Sequence, residues 1–178
     1  QENHYFNMKK LLFIIFLCSF VLVSAQGKDN INGNLVGYIK KSDFLNGKHS
    51  DWFSKNYDNY TPDPKVVQKI KKKLNNISIK SFIGSWCHDS KRELPKFYKI
   101  MELVGFNFEN DFKMIGITIG KKTPNNLQKG FAIRHTPTFI FFRDGKEIGR
   151  FVEHSKKTIE KDILKILRVG NYKHPYQK

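Results

Sequence analysis

The sequence predicts an α/β fold in which a central mixed β-sheet is flanked by helices. Residues 77–83 (ISIKSFI) form an apolar stretch of strand length, and residues 91–104 have the apolar spacing of a helix. Cys87 stands between the two, where the chain passes from the strand to the helix N-terminus. About fifty residues later, Pro137 precedes a second apolar stretch, residues 139–142. This order of strand, helix and strand is typical of a sheet that packs against helices.

Two helical segments are predicted before this unit. Aromatic residues recur at helical intervals within residues 51–60, which favours a helix whose aromatic face packs against the core. They are Trp52, Phe53, Tyr57 and Tyr60. Pro64 suits the first turn of a further helix that runs to residue 74. We therefore expect an extra helical N-terminal segment beside the α/β unit.

The remaining elements follow Cys87 in a regular order. Residues 112–119 are apolar and predict a strand beside the one that precedes Cys87, and residues 125–131 predict a short crossover helix. Residues 139–151 predict two strands joined by an Asp-Gly turn. Residues 156–167 have the apolar spacing of a closing helix.

Five residues near the predicted strand–helix junction and the later proline match the motifs of one family. Trp86 and Cys87 form a Trp-Cys pair at the junction, and Pro95 lies inside the following helix, where proline is costly and rare. Thr136 and Pro137 lead into the next strand. On these residues the chain resembles the thioredoxin superfamily. The resemblance implies a thioredoxin fold, Cys87 as the catalytic thiol, a cis peptide bond before Pro137, and substrate binding at Thr136 and Pro137.

Three features depart from the usual pattern of that family. Ser90 stands where two-cysteine members carry their second cysteine, and its hydroxyl either donates a hydrogen bond to the Cys87 thiolate or caps the helix. Ser81 stands where many members carry a buried acid, which predicts slow release of a bound partner. His88 and Asp89 replace the common Gly-Pro. A protonated His88 would stabilise the thiolate and Asp89 would oppose it, unless both are simply exposed residues of the first helical turn.

The resulting monothiol Cys-x-x-Ser motif limits the chemistry that the resemblance implies. A thiolate at a helix N-terminus attacks an exposed disulfide, but Ser90 cannot resolve the mixed disulfide that results. The expected activity is thiol–disulfide exchange on protein disulfides through Cys87, of the isomerase or reductase type, with Trp86 shielding the site. A small thiol or a membrane reductase would supply electrons, and no cofactor is expected. Two alternatives remain open: a non-catalytic module that holds an extended peptide in the cis-proline groove at Thr136 and Pro137, and a small-thiol-dependent reductase of peroxides or mixed disulfides.

The N-terminal residues have the pattern of an export signal. Residues 8–25 contain two lysines, then an apolar core and a small-residue end, which are the features of a secretory signal peptide. The segment resembles signals of exported bacterial proteins of the Bacteroidetes kind, so we expect a periplasmic or secreted protein. Residues 1–7 are expected to be an upstream extension that is not native. Cleavage would remove Cys18 and leave Cys87 as the one thiol of a monomer without stable membrane insertion.

The rest of the chain divides into three parts and is strongly basic. Residues 26–60 are predicted to form an N-terminal extension, residues 61–170 the thioredoxin-like domain and residues 171–178 a C-terminal tail. The formal net charge of the full chain, +16, suits anionic head groups or acidic partners, and equally a solvated lysine-rich surface. We expect no nucleic-acid binding, because no basic stripe is interleaved with aromatic residues. We expect no metal site, because the adjacent Cys87 and His88 chelate poorly.

Overall fold

The computed structural model describes residues 29–31, 33–168 and 172–177. Its strands are β1 (Asp29–Ile31), β2 (Asn34–Ile39), β3 (Ile77–Ile83), β4 (Phe112–Gly116), β5 (Thr138–Arg143) and β6 (Lys146–Val152). Their order across the sheet is β1-β2-β4-β3-β5-β6. β3 pairs parallel with β4, and the other neighbouring pairs are antiparallel. The predicted central mixed sheet is confirmed.

Helices cover this sheet and extend it towards the N-terminus. The described α-helices are α1 (Ser50–Asp58), α2 (Pro64–Lys71), α3 (His88–Leu103), α4 (Phe108–Asp111) and α5 (Ile159–Leu167). Short 3-10 turns lie at Lys41–Phe44, Gly47–His49 and Pro124–Asn126. Strands flanked by these helices form a thioredoxin fold, and α1 confirms its predicted helical N-terminal segment. Within the described ranges, no helix has the length and apolar character needed to cross a membrane.

The N-terminal segment also contributes a strand that the sequence pattern did not predict. β2 pairs antiparallel with β4, with Gly37 opposite Gly116. The backbones of the two strands lie close together here: a Cβ on Gly116 would be 2.3 Å from the carbonyl oxygen of Leu35. The segment is therefore built into the sheet and not merely laid over one flank.

The larger part of the hydrophobic core lies between the helices and one face of the sheet. Phe97 of α3 stacks on Phe139 of β5 with ring centroids 4.2 Å apart. Each of the other long helices adds buried side chains to the same cluster: Phe53 from α1, Ile70 from α2 and Ile163 from α5. Burial of several side chains of this size fixes α3, and with it the position of Cys87, against the sheet.

The opposite face of the sheet is covered by irregular chain. Its buried cluster comprises Phe82, Ile115, Ile117 and Ile140, with Leu127, Phe131 and Ile133 packed against it. The predicted crossover helix at residues 125–131 is wrong: the chain makes one 3-10 turn and then further turns. Asn125 and Asn126 have φ values of 58° and 54°, which an α-helix does not admit. Apolar spacing alone did not reveal these left-handed residues.

β5 and β6 form the predicted hairpin. Asp144 and Gly145 both have positive φ, 50° and 77°, as a two-residue turn of the favoured hairpin type requires. Thr138 at the start of β5 lies opposite Val152 at the end of β6. The hairpin thus fixes the chain just after Pro137 at the start of β5, between β3 and β6.

α3 carries Pro95 in its interior and is supported there by α1. Proline has no N–H, so the carbonyl of Lys91 loses its helical partner. Asn56 of α1 donates its side-chain amide to that carbonyl at 3.2 Å. The N-terminal segment therefore satisfies a backbone group in α3.

Candidate active site around Cys87

Cys87 lies at the junction that the sequence predicts, between β3 and α3. Its φ of −80° and ψ of 129° are extended, so it is the N-cap of α3 and its thiol does not cap the helix. Its amide donates to the carbonyl of Gly84 at 2.9 Å, and its carbonyl accepts the amide of Lys91 at 3.0 Å. The side chain is partly exposed and unpaired with any other described cysteine. A sulfur in this position faces the positive end of the helix dipole and remains within reach of a substrate.

Thr136 and Pro137 are brought to Cys87 by the fold. The peptide bond between them is cis, and both residues are buried. The Cys87 thiol donates a hydrogen bond to the Thr136 carbonyl oxygen, with Sγ and O 3.1 Å apart. Glu153 donates its amide to the Pro137 carbonyl at 2.8 Å. Thr138 donates its hydroxyl to the carbonyl of His135 at 2.8 Å, so this loop is held on both sides of the sulfur contact.

Trp86, next to Cys87 in the chain, is held by two contacts, and Gly84 leaves room for its ring. Its indole Nε1 donates to the carbonyl of Ile117 at 2.9 Å. The ammonium of Lys121 lies over the ring, 4.5 Å from its centroid. A Cβ on Gly84 would lie 2.7 Å from Trp86 Cε2 and 3.1 Å from Cys87 Cβ. Gly84 thus leaves the space that the indole and the cysteine occupy.

Ser90 is fully buried in the first turn of α3. Its Oγ accepts the backbone amide of Gly84 at 3.2 Å. The hydroxyl therefore ties the helix to the loop that precedes Cys87, a use that neither sequence interpretation of Ser90 had included.

His88 and Asp89 lie on the outer side of the same turn. His88 is exposed and is the first residue of α3, and Asp89 is partly buried. Asp89 Oδ1 forms an ion pair with Arg92 Nη2 at 2.6 Å. The carboxylate is thus partly neutralised by a residue one turn along the helix.

Two buried polar side chains, one on β3 and one on α3, lack full hydrogen bonding among the described residues. Ser81 lies in β3 with no exposed surface, and its Oγ has no hydrogen-bond partner among the described residues. Glu93, which sequence reasoning missed, is 2 % exposed; its Oε1 contacts Arg92 Nε at 2.6 Å and Lys96 Nζ at 3.5 Å, while Oε2 is unpaired within the described ranges. The sequence signal that could have indicated Glu93 is an acidic residue at a position of α3 where the helical spacing predicts an apolar one.

Ser85 is a further residue that the sequence did not single out. It is 2 % exposed, and its Oγ accepts the amide of Leu35 in β2 at 3.0 Å. The loop that carries Trp86 and Cys87 is therefore hydrogen-bonded to the N-terminal segment. No local pattern could have indicated a contact between residues 50 positions apart.

The described part of the C-terminal tail lies against the loop before Thr136. Tyr176 stacks on His135 with ring centroids 3.9 Å apart, and its hydroxyl donates to Glu153. His135 Nδ1 lies 3.6 Å from the Glu153 carboxylate. A cavity of about 700 Å³ opens beside these residues, with Arg150 on its wall. Among the residues that the structure describes, no group of three or more His, Cys, Asp or Glu could hold a metal ion.

Comparison with known proteins decides the family. The model of the thioredoxin family matches residues 63–165, which is more than half of the chain and includes the whole site. The chain belongs to the thioredoxin family. The matched range contains both Cys87 and the Thr136–Pro137 peptide bond.

Individual thioredoxin relatives are distant. A thioredoxin H-type protein of Populus jackii is 26% identical over 91 residues, and thioredoxin H9 of Arabidopsis thaliana is 23% identical over 91 residues. Each alignment covers 51% of this chain, and the chain spans 60% of the length of these relatives. The crystal structure of a Pseudomonas aeruginosa protein of unknown function superposes with a TM-score of 0.53 at 14% identity, covering 74% of this chain and 92% of that one. That likeness shows the shared fold.

Proposed function

We propose that this chain is an exported monothiol thioredoxin-like protein that exchanges disulfides in other proteins through Cys87. The observation that carries the proposal is the position of Sγ, partly exposed at the N-terminus of α3 and 3.1 Å from the Thr136 carbonyl. A substrate strand that pairs with the backbone at Thr136 would bring its disulfide to this sulfur. Membership of the thioredoxin family supports an oxidoreductase-type chemistry of this kind.

In the isomerase mode the exchange has two steps and no net change in oxidation state. The Cys87 thiolate attacks one sulfur of a substrate disulfide, so that a Cys87–substrate bond forms, the substrate bond breaks and the second substrate sulfur leaves as a thiolate. A different thiolate of the same substrate then attacks the mixed disulfide. A new substrate disulfide forms and Cys87 leaves as the thiolate, ready for another cycle.

In the reductase mode two molecules of a small thiol supply the electrons. The first attacks the Cys87 sulfur of the mixed disulfide and releases the substrate as a dithiol. The second attacks the resulting mixed disulfide on Cys87 and forms the small-molecule disulfide, which frees Cys87 as the thiolate. Both modes are compatible with Ser90, because neither needs a second cysteine in this chain.

The other site residues support this chemistry by their position. Trp86, held by Ile117, shields one side of the sulfur. Thr136 and Pro137 offer backbone to the substrate strand, and Ser90 holds the loop before the nucleophile. We assign tuning of the thiolate to His88 and, more weakly, to Asp89, whose charge Arg92 offsets.

Export is proposed from the sequence of residues 8–25, which lie outside the described residues. A periplasmic or secreted location would provide disulfide-bearing protein substrates, and a small thiol or a membrane reductase as the source of electrons. Cleavage of that segment would leave Cys87 as the one thiol.

Reactivation of scrambled ribonuclease, in which non-native disulfides must be rearranged, tests the proposal. The chain should restore activity in a thiol buffer, and Cys87→Ser should abolish this catalysis while Cys18→Ser leaves it unchanged. Full reactivation by the Cys87→Ser variant would contradict the proposal. If the wild type shows no reactivation yet binds reduced, unfolded peptide equally well with and without Cys87, the peptide-binding alternative replaces it.

A variant with a second cysteine shows whether the site around Cys87 has the geometry for redox chemistry. Ser90→Cys should create a dithiol that reduces insulin, because it places a second thiol one helical turn from Cys87. The wild type should need a small thiol for reactivation. Loss of this need in Ser90→Cys would show that it arises because residue 90 is not a cysteine.

A further inference from the structure

Helices α2 and α5 lie side by side and are tied together at both ends. At their N-terminal ends, Tyr60 donates its hydroxyl to Glu160, and Asp63 donates its amide to the same carboxylate at 3.5 Å. At their C-terminal ends, Arg143 donates to the carbonyls of Lys73 and Leu167 at 3.2 and 3.1 Å. The two helices therefore run in the same direction and share one outward surface.

The exposed charged residues of this helix pair are all cationic. The exposed charged residues of segments 64–73 and 156–168 are Lys65, Lys69, Lys71, Lys72, Lys73, Lys156, Lys157, Lys161, Lys165 and Arg168. We term these ten residues the basic face. The two acids of these segments, Glu160 and Asp162, are turned inward and are 3 % and 4 % exposed. In the described part of the chain, none of the ten cations lies within 4.0 Å of a carboxylate.

The basic face is unlike the general lysine-rich surface in two respects. It joins two basic segments about ninety residues apart in sequence, so folding brings their charges together. It also contains a cavity of about 380 Å³, whose wall includes Lys156, Lys161, Lys165 and Arg168 together with one acid, the largely buried Asp162. That space suits the phosphate of a lipid head group.

We propose that the basic face docks this protein on bilayers that contain anionic phospholipid. Two parallel helices present a broad surface to a planar array of phosphates, and each lysine or arginine close to such a membrane adds about fivefold to the partition coefficient. The apolar residues of the pair point inward, as Val67 and Ile70 show, so the contact is electrostatic and peripheral. No exposed aromatic residue lies on the face to stack on bases, which favours lipid over single-stranded nucleic acid.

Vesicle co-sedimentation of the full-length chain tests this proposal independently of the thiol chemistry. The measured quantity is the ratio of partition coefficients on vesicles of phosphatidylcholine with about one third phosphatidylglycerol and on phosphatidylcholine alone. The apolar segment within residues 8–25 contributes to both partition coefficients, so their ratio reports the electrostatic part of the binding. The test variant replaces Lys69, Lys72, Lys157, Lys161 and Lys165 by Gln. The control replaces five lysines that are exposed outside the basic face, also by Gln, and so loses the same net charge. They are Lys55, Lys113, Lys122, Lys129 and Lys146.

We expect the test variant to lower the ratio more than a hundredfold and the control less than about tenfold. Raising NaCl from about 0.05 to about 0.5 M should abolish wild-type preference for anionic vesicles. Equal losses in the two variants, or no wild-type preference, would overturn the proposal. Binding to a DNA duplex of about 30 base pairs that depends on the same five lysines, without vesicle binding, would replace lipid by nucleic acid. Circular dichroism verifies that both variants are folded, and ribonuclease reactivation should be unchanged in both.

Discussion

Ser90 Oγ accepts the backbone amide of Gly84 at 3.2 Å, across the loop that carries Trp86 and Cys87. Ser90 thus supports the backbone of the loop that leads to Cys87. Because Ser90 is fully buried, its replacement by Ala leaves the Gly84 amide without a partner. We expect Ser90→Ala to lower the free energy of unfolding by about 1–3 kcal/mol while the folded protein still exchanges disulfides.

Urea unfolding and the rate of mixed-disulfide formation at Cys87 measure these two effects separately. Loss of exchange at unchanged stability would show that Ser90 acts on the thiol and not on the loop.

Gly84 should not tolerate a side chain. A Cβ at this position would lie 2.7 Å from the indole of Trp86, so Gly84→Ala must displace the ring that packs beside Cys87. We expect a loss of about 1–3 kcal/mol in stability together with a change in tryptophan fluorescence. Gly120→Ala is the matched control, because its new methyl would meet nothing nearer than 4.0 Å. Equal behaviour of the two variants would show that Trp86 is not held as described.

Ser81 and Ser85 should respond oppositely to the loss of their hydroxyls. Ser81 Oγ is buried without a hydrogen-bond partner among the described residues, so Ser81→Ala should be neutral or stabilising by up to about 1 kcal/mol. Ser85 Oγ accepts the Leu35 amide at 3.0 Å, so Ser85→Ala should destabilise by about 1–3 kcal/mol. Chemical denaturation of the pair measures both, and a larger loss in Ser81→Ala than in Ser85→Ala would contradict the structure.

Asp162 should make stability fall as pH rises through a mildly acidic range. Burial raises the pKa of its carboxyl above the ordinary value of 3.8, despite hydrogen bonds from the Lys156 amide and the Tyr172 hydroxyl and the charge of Lys165. Between 3.8 and the raised pKa, the folded state binds more protons than the unfolded state, so the free energy of unfolding decreases with increasing pH. Asp162→Asn removes this contribution.

The comparison of wild type and Asp162→Asn by urea unfolding from about pH 3.5 upward checks that sign. The difference in stability, variant minus wild type, should increase with pH over this window. A difference that decreases with pH would mean that the folded state favours the ionised carboxylate.

The elements that the sequence predicted well are those set by local patterns. The apolar run of β3, the turn residues Asp144 and Gly145, and the apolar stripe of α5 are all encoded within a few residues. The irregular chain at Asn125 was predicted as a helix, because its apolar spacing does not report a left-handed backbone. β2 escaped prediction because its pairing with β4 depends on chain distant in sequence.

The candidate site shows the same division. The place of Cys87 at a helix N-terminus follows from the local sequence, whereas its contact with Thr136 was expected only through the family resemblance. The contacts of Ser85 with Leu35 and of Asn56 with Lys91 join residues 50 and 35 positions apart, and no sequence pattern specified them. The environment of the nucleophile is therefore largely a product of tertiary structure.

The most direct test of the account is whether folding makes Cys87 a faster nucleophile. In a Cys18→Ser chain, which has Cys87 as its single cysteine, the rate of mixed-disulfide formation with a labelled peptide disulfide is measured for the folded protein and for the same protein in concentrated urea at the same pH. The helix N-terminus and the accessible sulfur predict that the folded protein reacts faster by about tenfold or more. An equal or slower rate in the folded state would contradict the assignment of Cys87 as an exchange nucleophile.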